Sequence, residues 1–182
     1  MAFAPPGLTA AGRPAEARIM GPADRDAGEV YRRLAPSVLA YLRAQRVADP
    51  EDVLGEVFVH VARDLHRVRG DDDAVRRWVF TVARHRVVDE ARRRSRRAAV
   101  VPGPVPDVAA EGAEPFDAVL LQALNGLTPD QREVVVLRFV ADLSLANVAR
   151  ITHRRVGAVK ALQQRALTNL ERAVSPEASP TL

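Results

Sequence analysis

The chain contains no cysteine, which excludes a disulfide framework and any metal site built from thiolates. Aromatic residues make up only 4% of its 182 residues. No apolar run approaches the roughly 20 residues that a membrane-spanning helix needs. The first residues also lack the charged and apolar segments of a secretion signal. We therefore expect a protein that does not insert into a membrane and that is located in the cytoplasm.

Basic residues are plentiful, but their total says little about a partner. The formal net charge is +4, and Lys160 is the only lysine among 27 basic residues. A GC-rich genome would produce the same preference for arginine. The distribution of charge along the chain is therefore more informative than the sum.

One interior segment differs sharply in composition from its neighbours. Residues 98–115 carry no basic residue, three acidic residues, four prolines and two glycines, which predicts a flexible linker. Residues 29–97 and 116–174 on either side both have a basic net charge and helical apolar spacing. Residues 1–28 resemble a flexible lead-in and residues 175–182 a tail. The predicted fold is all-α, with two small helical domains joined by this linker.

In the first domain, apolar spacing predicts three helices. The second begins at Asp49 and Pro50, and the third begins near Ala74. One or two basic residues suffice to offset a helix dipole, so the excess at the end of the third helix indicates a polyanionic partner. Trp78 adds an aromatic ring, as single-strand binding requires, although we expect most of that ring to lie in the core. The basic residues of this helix end are Arg84, Arg86, Arg92, Arg93, Arg94, Arg96 and Arg97.

The second domain has the pattern of a helix-turn-helix. Thr128, Pro129 and Gln131 predict a capped helix start, and Ser144 predicts the next one. A longer helix bearing basic residues follows from Val156. A short helix, a turn and a second helix that presents cations can place side chains in a DNA major groove. The pattern also fits three surface helices of an ordinary bundle with solvated arginines.

Taken in order, these motifs resemble the sigma-70 family of bacterial RNA polymerase sigma factors. Residues 49–58 (DPEDVLGEVF) are similar to the family's polymerase-binding helix. Residues 78–89 (WVFTVARHRVVD), with the arginines that follow, are similar to its promoter-melting helix. Residues 127–160 resemble its C-terminal helix-turn-helix. No further domain lies between the two, as in the small extracytoplasmic-function (ECF) subgroup.

The resemblance implies a transcription initiation factor that binds core RNA polymerase, directs it to promoters and promotes strand opening. It implies no catalysis, no cofactor and no metal site. Its implied partners are core RNA polymerase, duplex and unwound promoter DNA, and an anti-sigma protein. The implied polymerase-binding residues are Asp52, Val53, Glu56 and Phe58. The implied start-proximal DNA contacts are Arg69, Asp71, Arg76, Arg77, Trp78, Arg84 and His85, with Arg92, Arg93, Arg94, Arg96 and Arg97 on duplex phosphates. The implied upstream DNA contacts are Arg154, Arg155, Gly157, Ala158, Lys160, Ala161 and Gln164.

Several residues depart from the family's usual pattern. Gly55 stands where glutamine is common, and His85 replaces a common asparagine in the melting helix. His153 occupies the position of the turn's usual glycine, although histidine is among the residues that tolerate a left-handed conformation. Arg155 replaces the usual Ser or Thr cap of the recognition helix. Gln164 has the chemistry to read adenine, whereas Lys160 suits a phosphate or a guanine.

Two other functions fit parts of the sequence. A stand-alone helix-turn-helix regulator would need only the second domain for DNA binding. A helical nucleotide hydrolase would use Glu51, Asp52 and Glu56 to hold magnesium, since Asp52 and Glu56 share a helix face. The four histidines have no metal-ligand spacing on one helix face, and neither a phosphate-binding glycine loop nor a nucleophile elbow is present.

Overall fold

The computed structural model describes residues 25–100 and 122–174, with side chains up to residues 96 and 173 in the two segments. The described residues contain no strand, which confirms the predicted all-α fold. Most of the predicted lead-in and of the linker, and all of the predicted tail, lie outside these segments. The helices are α1 (Ala27–Ala44), α2 (Pro50–Asp64), a 3-10 turn (Leu65–Arg67), α3 (Asp72–Val100), α4 (Pro129–Phe139), α5 (Leu145–Thr152) and α6 (Val156–Val174).

Two helix starts confirm the capping predicted from sequence, at Thr128 and Ser144, and a third cap lies at Asp49, where only a helix start was predicted. The Thr128 hydroxyl accepts a hydrogen bond from Gln131 N at 3.3 Å, and the Gln131 side chain accepts one from Thr128 N at 3.2 Å. The Ser144 hydroxyl accepts from Asn147 N at 3.2 Å, and the Asp49 carboxylate accepts from Asp52 N at 3.1 Å. These bonds satisfy backbone amides that would otherwise have no partner at the helix start.

Three helix ends differ from the prediction, the start of α1 and both ends of α3. Helix α1 begins at Ala27, inside the predicted lead-in, because the Asp26 side chain caps it. Helix α3 begins at Asp72 rather than near Ala74, because Asp71 Oδ1 accepts a hydrogen bond from Ala74 N at 3.0 Å. It also continues through Val100, three residues into the predicted linker. Residues 98–100 (Ala-Ala-Val) contain no helix breaker, and the first proline comes at position 102.

The first domain packs α1, α2 and α3 around a common apolar core. Val38, Val57 and Val79 from the three helices have no solvent exposure. Tyr41 and Phe80 stack edge to face, with ring centroids 5.8 Å apart and planes at 85°. This geometry is favourable for aromatic rings and fixes α1 against α3.

The second domain contains a buried arginine at its centre. Arg132 of α4 is 7% exposed. Its guanidinium donates hydrogen bonds to the carbonyl oxygens of Leu124 at 3.0 Å and Leu127 at 3.1 Å. These bonds tie the helical residues 122–125 to α4. Burial lowers the pKa of Arg132 below its usual value, and the positive charge of Arg46 lowers it further.

The two domains pack directly against each other. Helix α1 contacts α4, and α3 contacts α5. The buried apolar residues of both domains form one continuous cluster. The contact places the start of α3 against the second domain, while the first half of α6 points away into solvent.

Candidate nucleic-acid interface

The turn before α6 and the first half of α6 together present all the residues expected to contact upstream DNA. This turn is formed by His153, which adopts the left-handed conformation (φ 54°, ψ 38°) where the family usually has glycine. Arg154 N then donates to Ala149 O at 2.9 Å, which holds the turn closed. Buried Val159 and Ala166 anchor α6 to the domain. The exposed residues are Arg154, Arg155, Gly157, Ala158, Lys160, Ala161 and Gln164.

Lys160 and Gln164 are one helical turn apart and therefore share a face of α6. Arg154 is held at the edge of this face, because its guanidinium lies 2.7 Å from the Asp130 carboxylate at the start of α4. The backbone carbonyl of Arg155 accepts hydrogen bonds from Ala158 N and Val159 N at the start of α6, and Arg155 itself is exposed. Two arginines just before α6, followed by Lys160 and the side-chain amide of Gln164, suit insertion of this helix into the major groove of duplex DNA.

Three of the expected strand-opening arginines lie against the second domain. Arg76 Nη1 is 2.8 Å from Asp142 Oδ2. Arg77 Nη1 donates to Asn147 Oδ1 at 3.2 Å. Arg84 Nε donates to Glu133 Oε1 at 2.9 Å. These guanidiniums therefore have protein partners in this conformation.

The other members of the strand-opening group are divided between surface and core. Arg69 and His85 are exposed. Asp71 is exposed too, but its carboxylate caps α3. Trp78 is half-buried against the apolar core, with its ring centroid 6.1 Å from that of His60. Most of the tryptophan ring thus belongs to the contact between α2 and α3, as expected.

The arginines near the end of α3 form a solvated cationic surface. Arg92 lies 3.6 Å from Asp89, and Arg93 lies 3.8 Å from Glu90, both within the same helix. Such exposed pairs are weak and leave the guanidiniums available to other anions. Arg96 is also exposed, and Arg94 donates to Arg46 O at 2.9 Å. The Arg97 side chain lies outside the described residues.

The expected polymerase-binding residues do not all share one surface. Asp52 and Glu56 are exposed and Val53 is half-buried. Phe58 is only 8% exposed and packs against the Tyr31 ring, with centroids 4.8 Å apart. Its side chain therefore forms part of the domain core.

Sequence reasoning missed the largest exposed apolar side chain of α2. Val59 is 72% exposed. It follows Asp52 by seven residues and Glu56 by three, so the three side chains lie along one helix face. The helical period alone could have predicted this position, because it places Val59, and not Phe58, on the same helix face as the two carboxylates.

The described residues contain no group of three or more His, Cys, Asp or Glu side chains placed to hold a metal ion. The magnesium site considered for Glu51, Asp52 and Glu56 thus has no support from the geometry. Within the same residues, no helix combines the length and apolarity needed to cross a bilayer.

Comparison with known proteins gives two family matches in the order expected from sequence. Residues 30–97 match the family described as "Sigma-70 region 2", and residues 117–170 match "Sigma-70, region 4". Among solved structures, the sigma factor RpoE of Bartonella quintana, in complex with the anti-sigma factor NepR, shares the fold with a TM-score of 0.71. It is 20% identical, and the alignment covers 82% of this chain and 97% of that one.

Relatives with known roles extend the match across both domains. The ECF RNA polymerase sigma factor BldN of Streptomyces coelicolor is 31% identical over 83% of this chain, which spans 61% of the length of that protein. SigD of Mycobacterium tuberculosis, also an ECF RNA polymerase sigma factor, is 31% identical over 81% of this chain and 77% of its own length. The chain therefore belongs to the ECF group of the sigma-70 family.

Proposed function

We propose that the chain is a transcription initiation factor that binds core RNA polymerase, directs it to specific promoters and promotes strand opening. The observation that carries this function is the pairing of two cationic surfaces on separate domains. One is the exposed first half of α6, and the other is the arginine-rich α3. Both belong to regions of an established sigma family. The role is not catalytic, and it places the protein with the chromosome in the cytoplasm.

The two surfaces suit different forms of DNA. Lys160 and Gln164 project from the N-terminal half of α6, which fits the major groove of closed duplex. Trp78 and the arginines of α3 combine an aromatic with cations, which fits unstacked bases and their phosphates. Arg92 and Arg96 would hold the neighbouring duplex by phosphate neutralisation. Upstream recognition would thus reside in the second domain and strand opening in the first.

For the polymerase we propose the face of α2 that carries Asp52, Glu56 and Val59. Two carboxylates beside an exposed valine can meet cations and an apolar groove of a partner. Val53 lies at the edge of this face. Phe58 packs inside the core beneath this face and does not contact the polymerase directly.

An anti-sigma protein is a further proposed partner. The RpoE structure is a complex with the anti-sigma factor NepR. The structure of CnrH in complex with the cytosolic domain of CnrY shares the fold with a TM-score of 0.60, at 20% identity over 87% of this chain. NepR and CnrY are partners of RpoE and CnrH, and their complexes motivate a search for an inhibitory protein that binds this chain.

Co-elution with core RNA polymerase tests the proposal against the stand-alone regulator. The wild-type chain should co-elute, and Glu56→Arg should weaken co-elution because it reverses the charge on the docking face. Glu29→Arg, on exposed α1, is the matched control and should behave as wild type. A chain that never co-elutes but binds promoter duplex by itself would instead be a regulator.

A further inference from the structure

We propose that Arg25 is a positioning residue for start-proximal promoter recognition, and that it acts by holding the loop before α3. This loop, residues 68–71, connects the 3-10 turn to α3 and carries Arg69 and Asp71, two of the expected start-proximal contacts. The inference rests on the proposed function and adds a residue to its strand-opening site. Arg25 lies in the segment predicted as a lead-in and precedes residues 30–97, the part of the first domain that matches the sigma family.

The guanidinium of Arg25 joins the start of α1 to this loop. Its Nη1 donates a hydrogen bond to Val68 O at 2.8 Å, and its Nη2 donates one to Gly70 O. A guanidinium is planar and holds its N–H groups in fixed directions. Because it binds two carbonyls on either side of one residue, it fixes the path of the loop as well as its distance from α1.

Arg25 is itself held in place by the cap of α1. The carboxylate of Asp26, the next residue, accepts hydrogen bonds from Gly28 N at 2.9 Å and from Glu29 N at 3.2 Å. Such a cap fixes the backbone directly before the helix. The Arg25 side chain is half-buried and therefore extends from an anchored helix start.

The middle of the loop depends on Arg25 more than its ends do. The ends are fixed by a backbone bond to the 3-10 turn and by the cap of α3. Between them, Gly70 has a φ of +112°, and glycine loses more conformational freedom on ordering than any other residue. The two bonds from Arg25 offset this loss. Arg69 lies between the two held carbonyls and is exposed, so its direction follows from the same two bonds.

Ordering the loop before it meets DNA improves discrimination between bases. A segment that is already ordered loses less conformational entropy on binding than a mobile one. The bond to Gly70 is exposed and the bond to Val68 is partly buried, so water can replace the guanidinium when Arg25 is removed. Loss of Arg25 should therefore loosen the loop while the domain stays folded.

Backbone order parameters from NMR relaxation of the free, full-length chain test the loop contact without polymerase. The Gly70 amide should have the value of rigid backbone in the wild type, about 0.85, and a value below about 0.6 in Arg25→Met. Arg25→Lys should also lower it, because a single ammonium cannot reproduce the planar fork. Arg32→Met is the matched control on α1, since Arg32 has a 72% exposed side chain and only a weak ion pair with Asp26 at 3.7 Å. It should match the wild type.

The same variants should differ in base preference when they are bound to core polymerase. In a base-substitution scan, discrimination at the start-proximal element should fall about fivefold in Arg25→Met and Arg25→Lys, the scale of ordering one mobile group at an interface. Preference at the upstream element should be unchanged, because that element is proposed to meet α6. Arg32→Met should keep both preferences.

The inference requires both changes. An Arg25→Met variant in which Gly70 stays ordered, or in which the start-proximal preference stays the same, would overturn it. Wild-type behaviour of Arg25→Lys would also overturn it, because the charge alone would then suffice. Failure of the wild-type chain to direct transcription from specific promoters would instead refute the proposed function, and the order parameters would still show whether Arg25 holds the loop.

Discussion

Arg84 of α3 and Glu133 of α4 are 49 residues apart in sequence, and their Nε and Oε1 atoms are 2.9 Å apart across the domain contact. Both side chains are largely shielded from solvent, at 19% and 13% exposure. Breaking such a pair leaves one charge without its partner, which costs more than losing an exposed pair. This bond makes the domain contact specific, and it ties a predicted DNA-binding arginine to the protein itself.

The phenol of Tyr41 predicts a loss of stability in alkaline solution. Burial raises the pKa of Tyr41 well above its usual value, and the charge of Glu133 raises it further. Above pH about 10 the unfolded chain loses this proton while the folded chain keeps it. The free energy of unfolding should therefore be insensitive to this group below pH 10 and should fall as the pH rises further. Urea unfolding at a series of pH values measures the effect.

Tyr41→Phe should remove that part of the alkaline decline while changing stability at pH 7 only slightly, because its hydrogen bond of 3.4 Å is long. Tyr31→Phe is the matched control, since Tyr31 is 47% exposed. The free energy of unfolding of this variant should fall above pH 10 as much as that of the wild type. An identical pH profile for Tyr41→Phe and wild type would show that Tyr41 does not cause the decline.

Gly55 offers a stabilising substitution. A Cβ atom added at Gly55 would meet no atom within 4 Å. Because glycine is unfavourable inside a helix, Gly55→Ala should raise the free energy of unfolding by about 1 kcal/mol. Gly70→Ala should do the opposite, since Gly70 has a φ of +112° and its new Cβ would lie 2.8 Å from that of Ala74. Urea titration followed by circular dichroism compares the two; a destabilised Gly55→Ala would contradict the helix argument.

The exposed arginines of α3 predict a salt-dependent contribution to promoter binding. Replacing Arg92, Arg93 and Arg96 with alanine should weaken promoter complexes with little dependence on sequence. The slope of log affinity against log salt should become shallower by roughly 0.9 for each lost duplex phosphate contact. The charge-matched control replaces Arg32, Arg63 and Arg67 with alanine, since these arginines are exposed elsewhere in the first domain. An unchanged slope in the α3 variant would mean that these side chains are only solvated.

Gln164 predicts a change in base preference at the upstream element. If its amide contacts adenine with two hydrogen bonds, Gln164→Ala should reduce discrimination at one base pair by about 1–3 kcal/mol. Opening on a premelted template should hardly change. Gln163→Ala is a matched control, because that side chain accepts a bond from Arg138 at 3.1 Å within the domain. A base-substitution scan in which Gln164→Ala alters no upstream preference would place the readout elsewhere on α6.

Local features of this fold could be predicted from sequence, and features that depend on tertiary packing could not. The caps at Asp49, Thr128 and Ser144 involve residues three apart, so their chemistry is visible in a short window. The resemblance implies a polymerase contact for Phe58, but its side chain is only 8% exposed. Only packing against Tyr31 shows which face is buried.

The domain contact left no comparable signal in the sequence. Asp73 and Asn147, 74 residues apart, are both ordinary polar residues near a helix start. Their hydrogen bond depends on how two preformed domains meet, which helical periodicity does not encode. The same holds for Arg76 and Arg77, which the sequence suggested for DNA and the structure places against the second domain.

Transcription in vitro tests the central proposal most directly. Purified core RNA polymerase is incubated with genomic fragments, with and without the chain, and the RNA start sites are mapped. The account predicts starts that appear only when the chain is present and that share a start-proximal and an upstream element at fixed spacing. Identical start sites with and without the chain, under conditions where the chain occupies the polymerase, would contradict it.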